Sequence, residues 1–117
     1  MTNFVGAEYV IATMLIEKAK NGVLSVSINE LSKYGIHIQH MANSENLDAV
    51  FLTSKTQLFN AIYDFSDYFS YKLDSEGNLS KIYLNSSKDI ADLEFRFLGY
   101  IPQEILNILI KSLTLVA

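Results

Sequence analysis

An apolar stripe behind a helix-capping box constrains this chain more than any other feature. Ser54-Lys55-Thr56-Gln57 has the spacing at which a serine N-cap and a glutamine three residues on satisfy each other's backbone N–H groups. Leu58, Ala61, Ile62, Phe65 and Phe69 follow at i, i+3, i+4, i+7 and i+11. That spacing predicts a helix of about four turns over 55–67 with one face buried. Directly after it, 68–74 and 79–85 are rich in β-forming residues and flank Ser75-Glu76-Gly77-Asn78, a hairpin signal. A capped helix leading straight into a hairpin, with further helices on either side, predicts an α+β chain.

Upstream, Val10, Met14, Ile11, Leu15 and Ile16 stand at helical spacing within 4–20, and Lys18, Lys20 and Asn21-Gly22 end that helix favourably. In Val23-Leu24-Ser25-Val26-Ser27-Ile28 the apolar residues alternate with serines, which predicts a short strand with one buried face. Ser27 and Glu30 form a first capping box, opening a short helix through Leu31 that Gly35 is expected to end. Ile36-His37-Ile38-Gln39-His40-Met41 fits a strand or a helical turn equally, and 36–52 stays unassigned. Downstream, Ser86 and Ser87 can cap a helix carrying Ile90, Leu93 and Phe97, and Pro102 suits the first position of a final helix over 103–115.

The 117 residues amount to one domain, with a core over 4–85 and a helical C-terminal extension over 86–117. Nine Lys and Arg against thirteen Asp and Glu give a formal charge of -4. A heavily basic nucleic-acid coat is excluded, but not a specific binder that gathers its few cations on one face. The absence of cysteine excludes disulfide scaffolds, thiolate metal sites and cysteine nucleophiles. No positive stretch precedes the first apolar residues. The most apolar stretch, 105–116, is broken by Asn107, Lys111, Ser112 and Thr114, short of the roughly 18 residues that span a bilayer. A cytoplasmic protein without a membrane segment is expected. Frequent Asn, Ile, Lys, Tyr and Ser with a single arginine, Arg96, suit an AT-rich bacterial genome or its mobile elements.

Catalytic signatures are missing. There is no G-x-S-x-G, P-loop or G-x-G-x-x-G, and Asp64 with Asp67 is a pair that any acidic helix offers. His37 and His40 have no carboxylate at a metal-ligand spacing and read as ordinary surface residues. No enzyme, metal or cofactor is expected.

The order helix, short strand, short helix, long helix, hairpin, helices resembles the winged helix-turn-helix family of DNA-binding domains. The strand-plus-helix Val23 through Leu31, the helix opening Thr53-Ser54-Lys55-Thr56-Gln57, the hairpin in the place of the wing, and the apolar tail where many members keep a dimerisation helix carry the resemblance, over 7–85. One departure is plain: family helices two and three are joined by a short turn, whereas 36–52 intervenes here. Either an extra element lies there, or the recognition helix begins near Ser44.

The resemblance implies a homodimer that binds double-stranded DNA sequence-specifically, as a transcriptional repressor or as a partition or transfer factor of a plasmid or mobile element. It places Lys55, Thr56, Gln57 and Asn60 on the DNA, the amides reading adenine and the lysine meeting guanine or phosphate. The hairpin register sets Tyr71 opposite Ile82 and Phe69 opposite Leu84 on the buried side, with Ser70 opposite Tyr83 and Lys72 opposite Lys81 on the other. Two like charges so placed repel, and a phosphate between them reverses the sign. The last helix is apolar nearly all round, through Ile105, Leu106, Ile108, Leu109, Ile110, Leu113 and Leu115. A dimer interface at Ile105, Leu106, Leu109 and Leu113 is therefore expected. The alternative is a winged-helix-like protein-interaction module, such as a small inhibitor or immunity protein, using the acidic balance and the aromatics Phe59, Tyr63 and Tyr83.

Overall fold

Helix α1 (Ala7–Ala19) forms the centre of the fold. All residues from 10 to 16 are buried, so no face of it is left for solvent there and other elements surround it. Thr13 is the one polar residue among them, and its hydroxyl donates to the Tyr9 carbonyl at 2.7 Å. The structure, a computed structural model, describes residues 2–86 and 88–116, the last two by backbone alone.

Strand β1 (Asn3–Val5) precedes α1, and strand β2 (Ser25–Ser27) follows it. The first capping box forms as its spacing predicts: Ser27 Oγ accepts from Glu30 N–H, and Glu30 Oε1 accepts from Ser27 N–H. It opens α2 (Ile28–Ser44), which does not stop at Gly35. Gly35 is buried inside the helix, where a Cβ would lie 2.6 Å from Thr53 Oγ1. Close approach of the chain at Thr53, not a helix end, is what requires glycine there. The ambiguous stretch after it is helix, and His37 and His40 ride on it. Ser44 closes α2, so no recognition helix begins there. Strand β3 (Ala49–Phe51) fills the rest of the unassigned segment and pairs parallel with β1. Gln39 of α2 supplies its other neighbour: the amide donates to Ala49 O and accepts from Phe51 N–H, both at 3.0 Å. That satisfies the edge of a strand too short to hold a sheet alone.

Helix α3 (Lys55–Asp64) is capped by Ser54 and Gln57 as expected, but it is shorter than its stripe implied. Phe65 leaves the helix (φ -119°), residues 65–68 turn, and Phe69 begins β4 (Phe69–Leu73). Phe69 shares the buried side by way of the strand, and Asp67 lies in the turn. Strand β5 (Leu79–Leu84) completes an antiparallel sheet in the order β2-β5-β4. Val26, Phe69, Ile82 and Leu84 form its buried face against the helices.

Asp89, accepting from Asp92 N–H at 2.8 Å, caps α4 (Ile90–Leu93) in place of Ser86; Ser87 lies outside the described residues. Without a break α4 passes into a π-helical turn, Glu94–Leu98. Phe97 projects from it into an aromatic cluster, with ring centroids 5.2 Å from Phe65, 5.2 Å from Tyr68 and 5.5 Å from Phe69.

Helix α5 (Gln103–Val116) packs along α2 and α1. Ile105, Ile108 and Leu109 are buried in the chain's own core, and the Tyr34 hydroxyl donates to Leu109 O at 2.6 Å. Burial pushes that phenol well above its ordinary range. The expected dimer residues are corrected accordingly. Ile105 and Leu109 are core and offer nothing to a second copy. Leu106 is half-buried, and Leu113, although buried, lines an open groove beside it.

Lys18 pairs with the exposed side of Glu30. Burial alone would raise the Glu30 carboxyl, but hydrogen bonds from Lys18 and Ser27 outweigh it and hold the group below the ordinary 4.5. A carboxyl lowered by folding contributes stability that is complete above its unfolded value and is lost as pH falls through the folded one. Part of the fall in melting temperature below pH 4.5 is therefore expected to disappear in Glu30→Gln, which keeps the cap but not the charge. Identical melting profiles for both proteins from neutral to pH 3, a range of about four units, would refute this assignment.

Candidate nucleic-acid interface

The first turn of α3 is exposed on one side. The buried stripe of Leu58, Ala61 and Ile62 fixes the helix on α1 and the sheet, and Thr56, Asn60 and Tyr63 point away from it. Lys55 and Phe59 flank that face on the side of the hairpin, and Asp64 flanks it on the other. Lys55, Thr56 and Asn60 are thus brought together in the open. Gln57 is only half-exposed, and its side-chain carbonyl accepts from Ser54 N–H at 3.1 Å. Reading adenine takes both ends of an amide. Gln57 would have to release the cap to do so, which leaves Asn60 as the free amide.

The hairpin follows the expected register in every pair from Phe69–Leu84 to Lys72–Lys81. A bulge between Lys72 and Leu73 then shifts the pairing, so Leu73 meets Leu79. The Asp74 carboxylate closes the turn, accepting from Glu76 and Asn78 N–H at 2.9 Å each, and Gly77 takes the positive φ of 83° the turn requires. Among the described residues no carboxylate pairs with Lys55, Lys72 or Lys81. Asn85 anchors the hairpin to the end of α3. Its amide donates to Ser66 O at 2.9 Å and Asp67 O at 3.1 Å, and its carbonyl accepts from the Ser70 hydroxyl at 2.7 Å.

Alternation along the strands separates the two cationic groups. Tyr71 leans onto Phe59 of α3, with ring centroids 5.4 Å apart, so α3 covers the face that carries Phe69 and Ile82. Lys72 and Lys81 project from the opposite face, beside Ser27 of β2 and one pair from Ser70, Tyr83 and Ser25. That face is polar, cationic and uncovered. Tyr71 departs from its expected burial. Phe59 covers only part of its ring, and the two form an exposed aromatic strip with Tyr63. The alternation placed Tyr71 on the correct face; how far the core extends toward the hairpin tip is not a local property.

No group of three or more potential metal ligands occurs among the described residues, and no described helix is long and apolar enough to cross a membrane. No family of known proteins, no curated protein and no solved structure matches the chain.

Proposed function

We propose that the chain binds double-stranded DNA as a winged-helix module, without catalysis or a cofactor. The sheet order β2-β5-β4 supports this most. It makes the strand after the first helix the neighbour of the returning hairpin strand, and it sets a hairpin with a bare lysine pair directly behind α3. In this reading Lys55, Thr56 and Asn60 face base edges and phosphate, Gln57 serves the cap, and Lys72 with Lys81, on the hairpin face turned away from α3, clasps a phosphate outside the groove that α3 enters. The longer α2 and the β1–β3 pair take the place of the short turn between the two helices. With so few cations per copy, two half-sites are needed for useful affinity. A cytoplasmic repressor or a partition or transfer factor fits such a module.

Fluorescence anisotropy on genomic fragments at two salt concentrations tests the reading. Lys72→Ala with Lys81→Ala is expected to weaken binding to all sequences alike and to reduce the salt slope by about one for each phosphate left without its lysine. Asn60→Ala is expected to cost about 1–3 kcal/mol on the preferred site and little elsewhere. Failure to retain any fragment at low salt overturns the proposal. The exposed strip Phe59, Tyr63 and Tyr71 then supports the second reading, a protein-interaction module, because clustered aromatics are the usual anchors of protein contacts.

A further inference from the structure

An open groove of about 760 Å³ lies between α1, the π-helical turn and α5. Its floor and walls are apolar: Ile16, Leu98, Leu106 and Leu113, with Phe95 and Ile110 at the rim. Phe95 and Ile110 are 68% and 52% exposed, and Tyr100, 79% exposed, packs edge-on against Phe95 with centroids 5.8 Å apart. The turn that aims Phe95 outward is itself unusual. A π-helix is rare and recurs at functional sites. Here it closes on Gly99, where a Cβ would lie 2.7 Å from the Phe95 carbonyl oxygen.

We propose that a second copy of this chain occupies the groove, each copy seating its Phe95–Tyr100 ridge in the groove of the other about a two-fold axis. Three observations select that occupant. Ridge and groove are neighbours on one surface, which is the self-complementarity an isologous contact requires. The rim carries both signs, with Lys20 paired to Glu17 at 3.1 Å and Glu94 beside them, so no partner of a single sign is called for. The exposed parts of Phe95, Tyr100 and Ile110, of which Phe95 and Ile110 also line the groove, hide on the order of 400 Å² per copy, an area that suits a weak, reversible dimer. The contact rests on α5 as the sequence implied, but on Leu106 and Ile110 rather than on Ile105 and Leu109. It deepens the two-half-site reading without depending on it, because association is measured without DNA.

Sedimentation equilibrium up to about 100 μM is expected to show a reversible dimer, in keeping with a small interface. Two variants divide the contact. Phe95→Ser with Tyr100→Ser removes the ridge, and Ile110→Glu spoils the groove. Each alters exposed side chains, so circular dichroism should match the parent protein. Neither variant should associate alone, with the dissociation constant raised at least about tenfold. An equimolar mixture should associate more tightly than either variant alone, because one complete ridge still finds a groove that lacks only the Phe95 rim. A monomeric parent protein overturns the proposal, and so does a dimer indifferent to both variants. A monomeric parent that binds the apolar dye ANS, with loss of that binding in Ile110→Glu, overturns it in favour of a small apolar ligand.

Discussion

Phe97→Ala is expected to destabilise the protein by about 3–5 kcal/mol, the usual range for emptying a buried phenylalanine site. Small domains hold about 5–15 kcal/mol in total, so about a fifth of the stability or more rests on this one ring. Phe97 is 1% exposed and meets rings from three parts of the chain. Tyr9 comes from α1 (6.2 Å), Phe65 and Tyr68 from the turn after α3, and Phe69 from β4. The Arg96 guanidinium also lies over Phe65 and Phe97, 5.3 Å from each centroid. Removal of Phe97 therefore leaves a cavity bordered by several elements that cannot all move inward together. Urea unfolding measures the loss, with a melting temperature lower by about 10–20 °C. Phe95→Ala, two residues away and exposed, is the control and should stay within about 0.5 kcal/mol when measured on the monomer. A loss below about 1 kcal/mol for Phe97→Ala would mean that the cluster is not the keystone of the α3–β4 corner.

What was legible in the sequence was local. Both capping boxes formed, because a side chain three residues from its partner needs nothing else from the fold. The hairpin register was legible because turn chemistry and two-residue alternation agree on it. Apart from the α4 cap, where Asp89 serves in place of Ser86, and the buried face of α5, the errors share one physical source, contacts between residues far apart in the chain. Gly35 looks like a helix stop until Thr53 is found against it. Strands β1 and β3 have three residues each and lie far apart in sequence, so neither shows a pattern of its own. Phe69 continues the stripe of α3 at helical spacing, yet it reaches the same core from a strand. Lys72 and Lys81 were correctly paired with each other. Their separation from the α3 face became visible only when Phe59 was seen to rest on Tyr71.

Leu109→Glu is expected to have the largest effect on stability and decides which stripe of α5 belongs to the core. The polar residues Gln103, Glu104, Asn107, Lys111 and Thr114 share one face of α5. Their spacing, which the apolar-all-round reading passes over, marks the opposite side as the one that faces its own domain. In the structure Leu109 is fully buried, whereas its neighbour Ile110 is half-exposed. A carboxylate at 109 loses the leucine packing, worth about 2–5 kcal/mol, and adds the penalty of a buried charge without a partner. Together these exceed about 5 kcal/mol, enough to unfold most of the population. The introduced carboxyl is disfavoured when charged, so its pKa rises on folding, and stability recovers as pH falls and the group becomes neutral. Leu109→Gln has no such recovery, which separates the buried charge from the missing leucine packing. Ile110→Glu should remain folded at neutral pH and lose only association. If Leu109→Glu folds as well as Ile110→Glu at neutral pH, α5 is turned differently from the way its contacts with α1 and α2 place it. Leu109 would then return to the surface open to a second copy.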